Sequence, residues 1–139
     1  MANMEFTSHA NQFLKAMEAR IPVALEALGE AGVTFAKMHI TEQGAIDTGN
    51  LRNSINKQVV ARDKCVHIGT PVHYAIYVEM GTGAANVSGG TNKPSWVYMD
   101  AHGEFHRAFP QKPRPFIKPS VAEHEDSYKA IINRYMKGI

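Results

Sequence analysis

From residue 5 to about residue 42 the apolar side chains recur at helical spacing, and this stripe constrains the fold more than any other feature. Phe6, Ala10, Phe13, Met17, Ile21, Ala24, Leu28, Phe35 and His39 stand three, four or seven positions apart. That spacing predicts a helix with one apolar side. Pro22 lacks an amide hydrogen and interrupts the ladder. Either the helix kinks there, or a second helix begins with Pro22 in its first turn. Gly29 and Gly32 weaken the second half intrinsically. They also let another backbone come close, so tertiary packing must hold this part.

The rest of the chain supplies what that stripe can pack on. Gly44 is placed to end the helix as a left-handed cap. Asp47-Thr48-Gly49-Asn50 reads as a turn, because Asp and Asn bond back to the local backbone and Gly accepts positive φ. Leu51 to Arg62 and Cys65 to Gly69 read as strands of a hairpin turning at Asp63-Lys64. Tyr74 to Met80 reads as a third strand, being rich in aromatic and β-branched residues. Residues 81–94, rich in glycine, read as a long mobile loop. Trp96–Met99 and Glu104–His106 flank Asp100-Ala101-His102-Gly103 as a second hairpin. Phe109 to Pro119 contains four prolines and must be extended. Ser120-Val121-Ala122-Glu123 matches a capping box, which starts a last helix running to about Lys137.

The expected architecture is therefore α+β in one domain, 1–139. It has an N-terminal helix kinked or split at Pro22. An antiparallel sheet of three strands follows, with an added hairpin, and a C-terminal helix packs on the same sheet face.

Composition narrows the functional classes. Apolar residues make up 44% of the chain and charged residues 20%, the balance of a globular protein rather than a disordered one. A net charge of +2 is too small to argue a nucleic-acid footprint by itself. Cys65 is the lone cysteine, which excludes an internal disulfide and reads as a buried, inert thiol in a strand. Neither a signal peptide nor a membrane span is expected, and synthesis in a reducing cytoplasm fits the cysteine usage.

No coherent catalytic set emerges, so an enzyme is not expected, and no cofactor or metal is expected. Gly81-Thr82-Gly83 lacks the lysine and following helix of a phosphate loop. Glu79 sits among apolar neighbours, where a carboxylate needs a partner. A structural role is expected for it: a salt bridge to Arg52 or Arg114, or acceptance of the Gly81-Thr82-Gly83 amides. His102 and His106 are four apart but lie across a turn, and no third metal ligand is expected to join them. Lys93, Arg107, Lys112, Arg114 and Lys118 surround Trp96, Tyr98 and Phe105. Such interleaving can bind single-stranded nucleic acid, which makes a nucleic-acid-binding module the alternative function.

Three segments carry a resemblance. They are Asp47-Thr48-Gly49-Asn50-Leu51-Arg52-Asn53-Ser54-Ile55, Tyr74-Ala75-Ile76-Tyr77-Val78-Glu79-Met80-Gly81-Thr82-Gly83, and Arg114-Pro115-Phe116-Ile117-Lys118-Pro119-Ser120. In this order and spacing they resemble the neck and tail-completion family of tailed bacteriophages, the small head–tail joining or minor tail proteins. Pro94-Ser95-Trp96-Val97-Tyr98 is similar to the version of that family with a hairpin between the second and third motifs. Met80 stands where the family usually has Phe, Ile46 where it has Pro, and Ser120 where it has Ala.

The resemblance implies a structural virion protein at the head–tail junction. It would be a ring subunit around the DNA channel, made in the host bacterial cytoplasm. Its partners would be copies of itself, connector or head-completion proteins, and tail-terminator or tail-tube proteins. DNA would pass through without sequence-specific binding. Asp47, Gly49, Arg52, Glu79, Gly81, Gly83, Arg114, Pro115 and Phe116 would form the scaffold. Thr82, Asn86, Trp96 and Tyr98 would be candidates for assembly contacts.

Overall fold

A computed structural model describes residues 9–43, 48–82, 85 and 95–138. Among these, the chain is α+β, with five helices and two antiparallel sheets of two strands each. The long helix α1 spans Ala10–Gln43 and continues through Pro22. Its first half is largely exposed, with Phe13 and Leu14 facing solvent. Burial begins at Ala24 and Leu25 and continues through Gly29, Gly32, Ala36, His39 and Ile40. The apolar stripe therefore meets the core only over its C-terminal half.

A short helix α2, Thr48–Ser54, follows. It corrects two expectations, since Leu51 to Ser54 is helical rather than strand and Gly49 lies within a helix. Strands β1, Asn56–Val60, and β2, Cys65–Gly69, pair from Asn56↔Gly69 to Val60↔Cys65. Their connection is a turn of 3₁₀ helix, Ala61–Asp63, closed by Lys64 at φ 53°. It is longer than the two-residue turn the sequence suggested. Cys65 is half-buried rather than buried, with its Sγ 3.6 Å from His67 Nε2.

Tyr74 to Met80 is not a third strand. Ala75–Met80 forms helix α3, entered through Tyr74, whose carbonyl accepts the Tyr77 and Val78 amides. Strands β3, Trp96–Met99, and β4, Phe105–Ala108, form the separate second hairpin. The chain then runs extended to α4, Ile117–Ala122, and α5, Glu125–Met136. The last helix is thus two helices, and Ser120 is no cap. It is fully buried inside α4, with its hydroxyl donating to the Ile117 carbonyl at 2.5 Å.

α1 is the element on which the others pack. β1 and β2 lie against it, and α4 and α5 pack on it too, so α5 does not chiefly cover the sheet as expected. Small residues make this possible. A Cβ at Gly32 would collide with Ile68 Cδ1 on β2 and lie 3.3 Å from the Tyr128 hydroxyl on α5. Phe35 stacks on His124, with ring centroids 3.7 Å apart, and meets Tyr128 edge-on. The Tyr128 hydroxyl donates to the Ser120 carbonyl at 2.6 Å. Lys57 of β1 pairs with Glu26 and Glu30 of α1 along the exposed side.

The central core joins Ala36 and Ile40 of α1, Leu51 and Ile55, Ala75 of α3, and Phe116. Burying each of the large members contributes roughly 1.5–3 kcal/mol.

Two glycines should respond oppositely to substitution. Gly32→Val forces β2 and α5 from α1 and should lower stability by about 1–3 kcal/mol. Gly49 has open space around it, so Gly49→Ala should leave stability unchanged or raise it by up to about 1 kcal/mol. Urea unfolding of both variants measures the contrast. A large loss at Gly49 would restore the tight-turn reading.

Candidate functional site

The most organised polar feature of the molecule is the carboxylate of Glu79. One oxygen accepts the amides of Phe116 and Ile117 at 2.7 and 3.0 Å, and the other accepts the amide of Lys118 at 2.9 Å. The first amides of any helix lack partners within it. α4 has no side-chain cap of its own at Phe116, and Glu79 supplies that role from a distant segment. A negative group there also meets the positive end of the helix backbone. Neither proposed arginine salt bridge is what holds this carboxylate. Arg52 is exposed on α2, and its side chain makes no ion pair among the described residues. The Arg114 amide donates to the Val78 carbonyl at 2.7 Å.

The amides after α3 are engaged elsewhere. The Gly81 amide donates to the Tyr77 carbonyl and the Thr82 amide to the Gln111 carbonyl. Gln111 returns its own amide to the Thr82 hydroxyl at 2.8 Å. Thr82, expected as an assembly contact, therefore ties the end of α3 to the proline segment. Gly81 adopts φ 85°, and a Cβ there would lie 2.8 Å from the Ala85 carbonyl and 2.9 Å from that of Gln111. Both the dihedral and the close approach require glycine. Pro115 is half-buried on the lead into Phe116, which is 1% exposed. Asp47, Gly83 and Asn86, and most of the expected 81–94 loop, lie outside the described residues.

The second hairpin is the other distinctive feature. Val97, Tyr98, Met99 and Phe105 are all exposed, and Trp96 is half-buried. The hairpin pairs with itself and makes at most marginal contact with the other described elements. Its turn is tightly knotted by Asp100. One carboxylate oxygen accepts the amides of His102 and Glu104 at 2.8 and 3.0 Å, and the other lies 2.7 Å from His106 Nε2. The His106 imidazole, followed by the Glu104 amide, holds the Asp100 carboxyl below its ordinary value.

Asp100, Glu104 and His106 each bring one donor atom within 4.8 Å of the others. The gathering at this turn is that exposed trio rather than the His102/His106 pair, and His102 joins through its amide. Of the basic residues around the aromatics, Arg107 donates to Ser95 Oγ at 2.8 Å, and Lys112 and Lys118 are exposed.

A histidine pair missed from the sequence, His39 buried and His124 half-buried, marks the α1–α5 junction. His39 is 7% exposed, its Nε2 lies 2.9 Å from that of His124, and Glu42 and Glu123 stand 3.6 and 3.8 Å from its two nitrogens. Only the helical position of His39 in the stripe hinted at it.

Among the described residues no helix is long and apolar enough to cross a membrane. Comparison with protein-family models, with curated proteins and with solved structures finds no match to this chain.

Two outcomes follow from these geometries. Glu79→Ala strips three amides of their acceptor and should cost about 2–3 kcal/mol in urea unfolding, with Glu79→Gln losing less. Equal losses for the two would show that the carboxylate's charge and second oxygen do not matter. For Asp100 the folded value is depressed, so its contribution is complete above the ordinary carboxylate range, near about pH 4. It is lost as pH falls through the folded value. Amide spectra of His102 and Glu104 should move over that acid window in the native chain and stay flat in Asp100→Asn.

Proposed function

We propose that the chain is a structural subunit of a ring at the junction of a phage head and tail, a neck or tail-completion protein. One observation carries this reading. The three segments that resemble that family form one physical unit. Leu51 and Ile55 of the first, Ala75 of the second and Phe116 of the third meet in a single core. Glu79 of the second binds the amides of the third. Motifs that meet as scaffold, rather than around a cavity with reactive groups, fit a protein selected for shape and assembly. In this reading the chain does no chemistry of its own, and Glu79 is committed to backbone amides.

The subunit would join copies of itself into a ring between connector or head-completion proteins and tail-terminator or tail-tube proteins. DNA would pass through the channel without sequence-specific contacts. The ring contact would be heterologous, one surface of a subunit meeting a different surface of the next.

Negative-stain images of the purified protein should show closed rings. Antibody labelling of particles of the phage that encodes it should mark one point between head and tail. Loss of the gene should leave filled heads and separate tails. Label spread along the tail, or absent from mature particles, would remove the reading.

A further inference from the structure

Late in α1, His39 meets His124 at the entry to α5, and their Nε2 atoms lie 2.9 Å apart. A neutral imidazole carries one hydrogen, on Nδ1 or on Nε2. Glu42 Oε2 stands 3.6 Å from His39 Nδ1, which favours the hydrogen on that side and leaves His39 Nε2 as a bare lone pair. Glu123 Oε2 faces the same Nε2 at 3.8 Å. A lone pair, a second imidazole nitrogen and a carboxylate oxygen thus converge, and a positive centre among them satisfies all three.

The rings are held in place by packing. His39 is buried against α4 and α5. Phe35 lies flat on His124, the two planes within 3° of each other, and so fixes that ring without using either nitrogen. A carboxylate at the far nitrogen of a histidine is how proteins orient a metal-binding imidazole and set its tautomer. Glu42 stands in that place. The Glu123 side chain is 64% exposed and free to turn.

The point of convergence is accessible. An open recess of about 360 Å³ is lined by His39, Glu42, Pro115, Pro119 and Glu123, and it leaves room for a water beside the imidazole. Lys118 also lines it, but that side chain is exposed and water and salt screen its charge.

We propose that His39 Nε2, His124 Nε2 and the Glu123 carboxylate bind a divalent cation of the zinc class, with Glu42 orienting His39 from behind. Two imidazoles and one carboxylate suit zinc, whereas magnesium and calcium take oxygen ligands. With bonds of zinc length, tetrahedral ligands stand about 3.3 Å apart. The imidazoles therefore part by only about 0.4 Å from their 2.9 Å contact, and Glu123 completes the set by turning its exposed side chain. The charges of Glu42 and Glu123 together balance the ion. Bound there, it ties α1 to the α4–α5 junction and adds to folding stability. The site is independent of the ring reading.

The test titrates Zn²⁺ into the full chain, freed of metal by a chelator, and follows it by calorimetry. One Zn²⁺ should bind per chain, undisplaced by millimolar Mg²⁺, and binding should raise the midpoint of thermal unfolding. Imidazole signals of His39 and His124 should shift on binding. Because His39 is buried, the variants are made at His124, Glu123 and Glu42, and thermal unfolding without metal verifies that each folds. His124→Gln and Glu123→Gln should each weaken binding at least about tenfold. Glu42→Gln should weaken it about tenfold and keep one site per chain, as loss of an orienting partner does. Affinity should fall as pH drops and the imidazoles take up protons.

Two other places on the chain offer zinc ligands, the exposed Asp100, Glu104 and His106 trio and Cys65 beside His67. Binding that is unchanged in His124→Gln but lost in His106→Gln or Cys65→Ser belongs to one of those and overturns the proposal. Absence of Zn²⁺ binding at micromolar protein overturns it too, and leaves the histidines joined by a hydrogen bond alone. Equal competition by Mg²⁺ overturns the imidazole ligands. Binding that survives His106→Gln and Cys65→Ser and weakens in His124→Gln supports the site.

Discussion

Glu79 ties together segments that lie 37 to 39 positions apart in the chain. Its carboxylate accepts the amides that begin α4, and this decides how α3, the extended proline segment and α4 lie together. Hydrogen bonds to an ionised acceptor are roughly twice as strong as neutral ones, and three on one group leave little freedom. The consequences spread outward. Phe116, whose amide Glu79 holds, is fixed in the core against Leu51 and Ile40. The Arg114 amide closes on Val78, and Thr82 and Gln111 exchange hydrogen bonds. Gly81 then has to turn with positive φ under the Gln111 carbonyl. Remove the carboxylate and the start of α4 has no cap, since neither Phe116 nor the buried Ser120 can replace it.

This interaction also explains where the sequence was legible and where it was not. The α1 stripe, both hairpins and the C-terminal helical segment were readable, because each is written in local spacing and turn residues. The Asp100 turn is an instance, with the short polar residue and Gly103 placed where the backbone needs them. Tyr74 to Met80 failed for a non-local reason. Its aromatic and β-branched residues favour a strand on a pleated surface, but among the described residues no strand lies free to pair with the segment. It coils instead into a helix that carries Glu79 to α4. The Ser120 capping box failed similarly. The pattern was present, yet the helix already begins at Ile117 because Glu79 satisfies its amides. A carboxylate at position 79 gives no sign in sequence of which amides it will find.

The exposed half of the molecule follows a different logic. The core gathers around the C-terminal half of α1, and the β3–β4 hairpin takes almost no part in it. Substitutions on that hairpin therefore act on what it touches rather than on the fold that carries it. This separation leaves the stability of the scaffold largely independent of the arm.

An arm with at most marginal contact to the other described elements has to keep its shape largely without a core beneath it. Asp100 is the answer the turn offers. It closes the backbone with Glu104, accepts two amides on one oxygen and holds His106 on the other. The strands are thereby registered by the turn itself, and Met99 and Phe105 stand opposite each other on one face. Association loses affinity to every group it must order. A hairpin locked at its turn holds its apolar face already arranged, so covering Phe105 would require little further ordering of the arm.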